Sequence, residues 1–227
     1  MVSRTLMAVW GVLDFSLLVA AIISIVLSIV WRAPNVLMNM VLSDADLTAG
    51  LILGISMAGT FVISIAALVQ PRHVVTGFIV LNYALLLDAI GIIVIGTFVW
   101  FFTLQERANF RVLWEQASPA TRIILQDQLK CCGYFNGTDL AEIGGSFCTS
   151  REVIDALPVD PETMTNFCVT PITSFADSTL NNIFTTVYGF MAIVFCLLMA
   201  TLCVIKKRQE EERFRKIDAK RGGRGFV

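Results

Sequence analysis

The sequence predicts an all-α membrane protein, with four transmembrane helices and one small, disulfide-stapled helical domain on the extracellular side. Three observations carry this. Of the 227 residues, 56% are hydrophobic and 15% charged, with a mean hydropathy of +0.74, more apolar side chain than the interior of one soluble domain holds. The apolar residues gather into four runs, each longer than the about 20 residues a helix needs to cross hydrocarbon. Four of the six cysteines fall together between the third and fourth runs.

The first run, Leu6 to Val30, is interrupted only by Asp14. It is too long for a signal-peptide core and has no small-x-small exit before Trp31, so it is read as a span. Residues 1–8 precede the span at 9–31, and a short outer loop occupies 32–46. The second span, 47–69, carries no charge, and from Leu51 to Ala67 only Ser56, Thr60 and Ser64 are polar. A helix of a soluble bundle has a polar face at that length, which argues against such a bundle. A turn at 70–73 ("QPRH") leads to the third span, 74–102, interrupted by Asp88. The large loop domain is 103–182, the fourth span 183–205 and the tail 206–227.

Charge orients these segments. Arg4, Arg72 and a tail with nine basic residues against four acidic lie on one side after an even number of crossings. The loop at 103–182 has ten acidic residues against five basic. The positive-inside bias places both termini in the cytosol and 32–46 and 103–182 on the extracytoplasmic side; the plasma membrane is the membrane expected. Lys206, Lys207 and Arg208 are placed to meet anionic lipid headgroups. The acidic run Glu210 to Glu212 breaks up the tail's basic charge, and no nucleic-acid partner is expected.

Within the large loop, Phe110, Leu113, Trp114 and Ala117 recur at helical spacing, and Ile123, Ile124 and Leu129 mark a second short amphipathic helix after Pro119. Gly, Pro and Asn punctuate 133–171. A returning helix is expected from near Pro171 into the fourth span, because proline suits a first helical turn.

The cysteines of this loop, Cys131, Cys132, Cys148 and Cys168, lie on the oxidising side and suit disulfides. Four cysteines allow three pairings. A bond between neighbours closes almost no chain, which leaves two long-range arrangements. The nested one, Cys131 to Cys168 and Cys132 to Cys148, is preferred because it ties the ascending helix to the returning one and pins the irregular top separately. Gly133 after the adjacent pair supplies the sharp turn that lets them diverge. The spacing does not match paired zinc ligands, and the single histidine, His73, falls on the other side of the membrane. No metal or other cofactor is expected. Asn136-Gly137-Thr138 is an N-glycosylation sequon on the side where glycans are added.

Asp14 and Asp88 are costly inside a membrane, by about 3 kcal/mol each if charged toward lipid, so they must face other helices, water or a bound polar group. A heptad reading runs Gly11, Asp14, Leu18, Ala21, Ile25, Ser28 in the first span and Gly77, Leu81, Ala84, Asp88, Gly91, Ile95 in the third. Gly50, Gly54 and Ala58 form a small-residue track in the second. Asp14 and Asn82 sit at equal depth, about eight residues from the cytosolic starts of their spans, so Asp14 is expected to pair with Asn82 or Tyr83. No nucleophile, base and orienting acid can be assembled on one side of the membrane, and the chain is read as non-enzymatic.

Four spans, a small and then a large outer loop, "CCG" at Cys131 to Gly133 and the further loop cysteines Cys148 and Cys168 together resemble the tetraspanin family across nearly the whole chain. The compact size and short tails are most similar to the fungal tetraspanins required for appressorium-mediated penetration. The resemblance implies the same nested disulfides and the role of a scaffold that recruits and clusters other membrane proteins. A superoxide-generating NADPH oxidase is the implied functional associate. It also implies an intramembrane cavity, lined by Asp14 and Asp88, that holds a sterol or other lipid, and a palmitoylated Cys203. Cys196 stands where the family has Glu or Gln in the fourth span, and Cys148 follows "GGSF" rather than the usual Pro-x-Ser. Two alternative functions are a sterol-binding membrane sensor and a small channel or transporter subunit using Asp14 and Asp88.

Overall fold

The computed structural model describes residues 4–71, 74–157 and 166–220. His73 lies outside them. Among the described residues there are eight helices and no strand: α1 Arg4–Val30, α2 Val36–Val41, α3 Asp44–Val69, α4 Thr76–Leu104, α5 Glu106–Gln116, α6 Pro119–Leu129, α7 Arg151–Asp155 and α8 Val169–Lys220. Four of them, α1, α3, α4 and α8, are long and apolar enough to cross a membrane.

Boundaries differ from expectation where local capping decides. The outer loop at 32–46 contains α2, whose cap Asn35 accepts from the amides of Leu37 and Met38. α7 likewise starts at Ser150, whose side chain accepts from Val153 N–H. The returning helix begins at Val169, two residues before Pro171, and continues without a break through the expected tail boundary to Lys220.

The chain divides into two compact units. The first comprises the described residues within Met1–Ile29, Thr48–Ile95 and Thr186–Val227. Most of its buried positions follow alternating steps of three and four. Among them are Trp10, Asp14, Leu17, Ala21 and Ser28 on α1, and Leu53, Met57, Thr60, Ser64 and Ala67 on α3. On α4 they are Phe78, Leu81, Leu85, Asp88 and Ile92, and on α8 Val187, Phe190, Val194, Leu197, Thr201, Val204 and Arg208. This is the 3.5-residue repeat of left-handed helix packing.

The expected seams need correction. Gly11 is exposed and Leu18 only half-buried, while Gly91 and Ile95 are half-buried on α4. Trp10, Leu17, Phe78, Leu85 and Ile92 take the inward places. Trp10 and Phe78 meet edge to face, and Trp10 Nε1–H donates to Thr201 Oγ1 at 3.0 Å. The Trp10 ring fills the interior where Gly11 was expected to line it, whereas Gly77 is buried beside Phe78 as expected.

The second unit comprises the described residues within Val30–Leu47 and Gly96–Thr185 and has two apolar clusters. In the larger, Phe110 and Trp114 of α5 and Leu125 of α6 pack with Leu37 and Val41 of α2, Tyr134, and Ile172, Ala176 and Leu180 of α8. Cys131 and Cys168 belong to it. The smaller holds Cys132, Cys148 and Ile154, flanked by Ala141, Phe147 and Leu157. The α5 stripe lies inward as expected. On α6 the inward residues are Arg122, Leu125 and Gln126, whereas Ile124 is exposed. A polar face turns inward there because the loop after it supplies partners.

Candidate functional site

The stapled turn is built from the end of α6. Lys130 ends that helix in the left-handed conformation, and the amide of Cys131 still reaches Gln126 O. Gly133 follows at φ 72°, and a Cβ there would lie 2.1 Å from Asn136 O. Positive φ and lack of space both demand glycine. The chain then runs beside the start of α8: Cys132 N–H donates to Asn166 O, Cys168 N–H to Gly133 O and Val169 N–H to Tyr134 O, at 2.9 to 3.2 Å.

The disulfides join Cys131 to Cys168 and Cys132 to Cys148, with Cα atoms 5.0 and 6.0 Å apart. All four cysteines are fully buried, and each bridge lies in a different apolar cluster. Adjacent cysteines therefore divide one turn between two cores. Tyr134, next to Gly133, is enclosed against Trp114 and Phe135, and its hydroxyl donates to Arg107 O at 2.8 Å. Burial, with the charge of Glu106 nearby, pushes its phenol well above the usual range.

Beyond the turn, side chains of α5 and α6 hold the loop. Arg111 pairs with Asp139 and Arg122 with Glu142, each at 2.6 Å. Gln126 exchanges two hydrogen bonds with the backbone of Glu142. Asp127 accepts from the amides of Ser146 and Phe147, which hold its carboxyl below the usual range. None of Arg111, Arg122, Gln126 and Asp127 stood out in the sequence. The available signal was the i, i+4 spacing of Arg122 and Gln126, which puts them on one helix face.

Asn136 is exposed, and its Oδ1 accepts from Thr138 N–H and the Thr138 hydroxyl, so the sequon is a compact turn on the surface. In the same stretch of chain Phe135, Leu140, Ile143 and Val153 show between 38% and 48% of their surface. Leu140 does so with φ 52°, an uncommon conformation for leucine.

In the first unit the acids are served by α3. Ser64 donates to Asp14 Oδ2 at 2.7 Å. Ser56 and Thr60 donate to the two oxygens of Asp88 at 2.5 and 2.6 Å. The expected pairing of Asp14 with Asn82 or Tyr83 is replaced. Tyr83 is 67% exposed and Asn82 stands off the inward seam of α4, while Ser64 occupies the facing heptad position on α3. Asp14 Oδ1 and Asn82 Oδ1 are both buried without a hydrogen-bond partner.

On α8, Cys196 and Cys203 are free thiols exposed off the seam. Arg208 is withdrawn from the expected headgroup contact. Its guanidinium lies 4.4 Å from the centre of the Phe78 ring and donates to Val74 O. Lys206 and Lys207 are exposed, and Lys207 pairs with Glu210. No family model, no curated protein and no solved structure matches this chain.

Proposed function

We propose that this chain is a non-enzymatic organiser of membrane proteins of the tetraspanin type, set in the plasma membrane with both termini in the cytosol. The observation that carries the reading is the doubly stapled lobe after Cys131. Two buried bridges and three side-chain clamps hold Phe135, Leu140, Ile143 and Val153 outward on a fixed frame. Exposed apolar side chains on a rigid support are what protein contact requires, since little ordering entropy remains to be lost on binding. Disulfides in this unit agree with an extracellular placement of 103–182. The role in building a fungal infection structure, with an NADPH oxidase as functional associate, is supported by the resemblance alone.

Proximity labelling in the native membrane tests the reading. The full chain and a variant with Phe135, Leu140, Ile143 and Val153 changed to serine are compared, with surface abundance matched. Loss of a defined set of neighbours is expected. An unchanged neighbour list sinks recruitment through this lobe.

A second reading, a sterol-binding sensor, is favoured by the two buried acceptors without donors, Asp14 Oδ1 and Asn82 Oδ1. A lipid hydroxyl supplies the missing donor. Crosslinking by a photoactivatable sterol should then disappear in Asp14→Leu, and crosslinking that persists at full yield counts against it.

A further inference from the structure

Asn136 and Thr138 are both exposed, so burial does not hide the sequon. What closes it is bonding within the turn. Asn136 Oδ1 accepts from the Thr138 hydroxyl at 2.6 Å and from Thr138 N–H at 3.0 Å. The carbonyl of Asn136 accepts from Asp139 N–H, and that of Thr138 from Leu140 N–H. Asp139 is itself clamped by Arg111 and accepts from Phe135 N–H, so the turn is fixed on both flanks. Between them Gly137 lies against α7, where an added Cβ would meet Ile154 Cγ2 at 2.5 Å. Ile154 belongs to the small cluster that the Cys132–Cys148 bridge staples.

An N-linked acceptor must have a hydroxyl at its third position and cannot have proline at its second. The transferase therefore engages that hydroxyl and needs a middle residue whose backbone can adapt. The closed lobe offers neither. Thr138 has committed its hydroxyl proton to Asn136, and Gly137 cannot swing out without leaving Ile154. The bridge controls that movement, because two of the three buried members of the cluster are the bridged cysteines, and without the bond the remainder does not offset the cost of ordering the loop. Cys148 follows Asn136 along the chain, so the sequon is made before its staple can close.

We propose that glycan transfer to Asn136 competes with closure of the Cys132–Cys148 bridge, so that the protein is made in a glycosylated and a bare form and the lobe, once stapled, no longer serves as acceptor. This rests on the extracytoplasmic placement of 103–182 proposed for the chain. In the transfer the Asn136 amide nitrogen bonds to the anomeric carbon of an oligosaccharide carried on a lipid pyrophosphate. The bond from that carbon to the carrier's oxygen breaks, its electron pair leaves with the pyrophosphate, and the amide gives up one proton to the transferase.

The test is translation of the full chain into microsomes that hold the transferase and its lipid-linked donor, with the glycan read as a mobility shift removed by endoglycosidase. The parent chain should give a shifted and an unshifted band, and Asn136→Gln the unshifted band alone. Cys132→Ala with Cys148→Ala should move the unshifted fraction into the shifted band, and so should reductant added to the parent during synthesis. Ile154→Ala keeps both cysteines and frees Gly137, and it should raise the shifted fraction as well. Occupancy equal in the parent and the bridge-less variant, whether full or absent, overturns the competition. A sequon appended after Val227 reports orientation separately. Its modification while Asn136 stays bare overturns the placement of 103–182 and the competition with it, whereas both sites bare in the bridge-less variant overturns the competition alone.

Discussion

Gly133 turns the chain between the two bridges, and its replacement tests how tightly that turn is set. A Cβ at this position meets Asn136 O at 2.1 Å, and φ 72° is unfavourable for any side chain. Left-handed conformation alone costs about 1–2 kcal/mol outside glycine, and displacing a backbone carbonyl adds to it. Gly133→Ala should lower the thermal midpoint by at least about 4 °C, given the usual 2–4 °C per kcal/mol for a chain of this size. A midpoint within a degree of the parent in the same detergent contradicts this account. Asp127 makes a prediction that depends on pH. Its carboxylate is stabilised by the Ser146 and Phe147 amides, so its folded value is lowered. The contribution is present above the ordinary aspartate range and is lost as pH falls through the folded value. Asp127→Asn should loosen residues 144–148 at neutral pH and reduce the parent's loss of protection there below pH 4. Amide exchange of that segment at pH 3 and pH 7 decides it.

At the scale of the element, α3 does two jobs that its sequence hides under mild polarity. Ser56, Thr60 and Ser64 at four-residue spacing place their hydroxyls on Asp88 and Asp14. The opposing contact is set by Gly54, where an added Cβ would meet Ile25 Cγ1 at 2.7 Å, Ile25 N at 3.1 Å and Ala21 O at 3.2 Å. Two of those three atoms are backbone, so α1 and α3 must separate to admit even a methyl group. Gly59 on the same helix has nothing within 4 Å. Gly54→Ala should therefore destabilise the protein in detergent by about 1–3 kcal/mol, the usual range for overpacking, while Gly59→Ala leaves it unchanged or slightly firmer. Equal effects at the two sites refute the close crossing. The four long helices and both acids were legible because length and hydropathy identify a span directly. The side each span turns inward was not. Lipid is as apolar as a bundle interior, so hydrophobicity does not separate Trp10, which is buried, from Val12 and Phe15, which are exposed. Asp14 and Asp88 anchored the seams correctly, but steps of three and four can be taken in either order from an anchor: Gly11 was chosen over Trp10, and Ala84 and Gly91 over Leu85 and Ile92, while Gly77 is buried beside Phe78. α2 and α7 escaped because six and five residues carry no periodicity, and only their caps Asn35 and Ser150 mark them. The inward polar face of α6 escaped for another reason: the Glu142 that engages Arg122 and Gln126 lies 20 and 16 residues further along the chain.

At the scale of the whole molecule, the two bridges differ in what each one holds. Cys131–Cys168 spans 37 residues and joins the large cluster, whereas Cys132–Cys148 spans 16 and joins the small one. In the loop-entropy model they contribute about 4 and about 3 kcal/mol respectively, close enough that size alone does not rank them. The clusters do. The small one has three fully buried members, two of them the bridged cysteines themselves. Without that bridge, Ile154 and its neighbours cannot offset the cost of ordering the loop. The large one retains Phe110, Trp114, Leu125, Tyr134 and Ile172, aromatic and aliphatic groups that bury much surface without help from sulfur. Replacing both cysteines of a pair by alanine avoids stray thiols. Cys132→Ala with Cys148→Ala should abolish exchange protection in residues 139–157 while α5 keeps most of its own. Cys131→Ala with Cys168→Ala should instead weaken α5, the 132–134 segment and the first turns of α8 together, because Cys168 N–H and Val169 N–H are tied to Gly133 and Tyr134 across that bridge. In both variants the amides flanking Trp10, Leu81 and Thr201 should exchange as in the parent, since those seams contain no disulfide. If the small-bridge variant loses α5 protection to the same extent as 139–157, the two clusters are one cooperative core and the division of labour between adjacent cysteines is wrong.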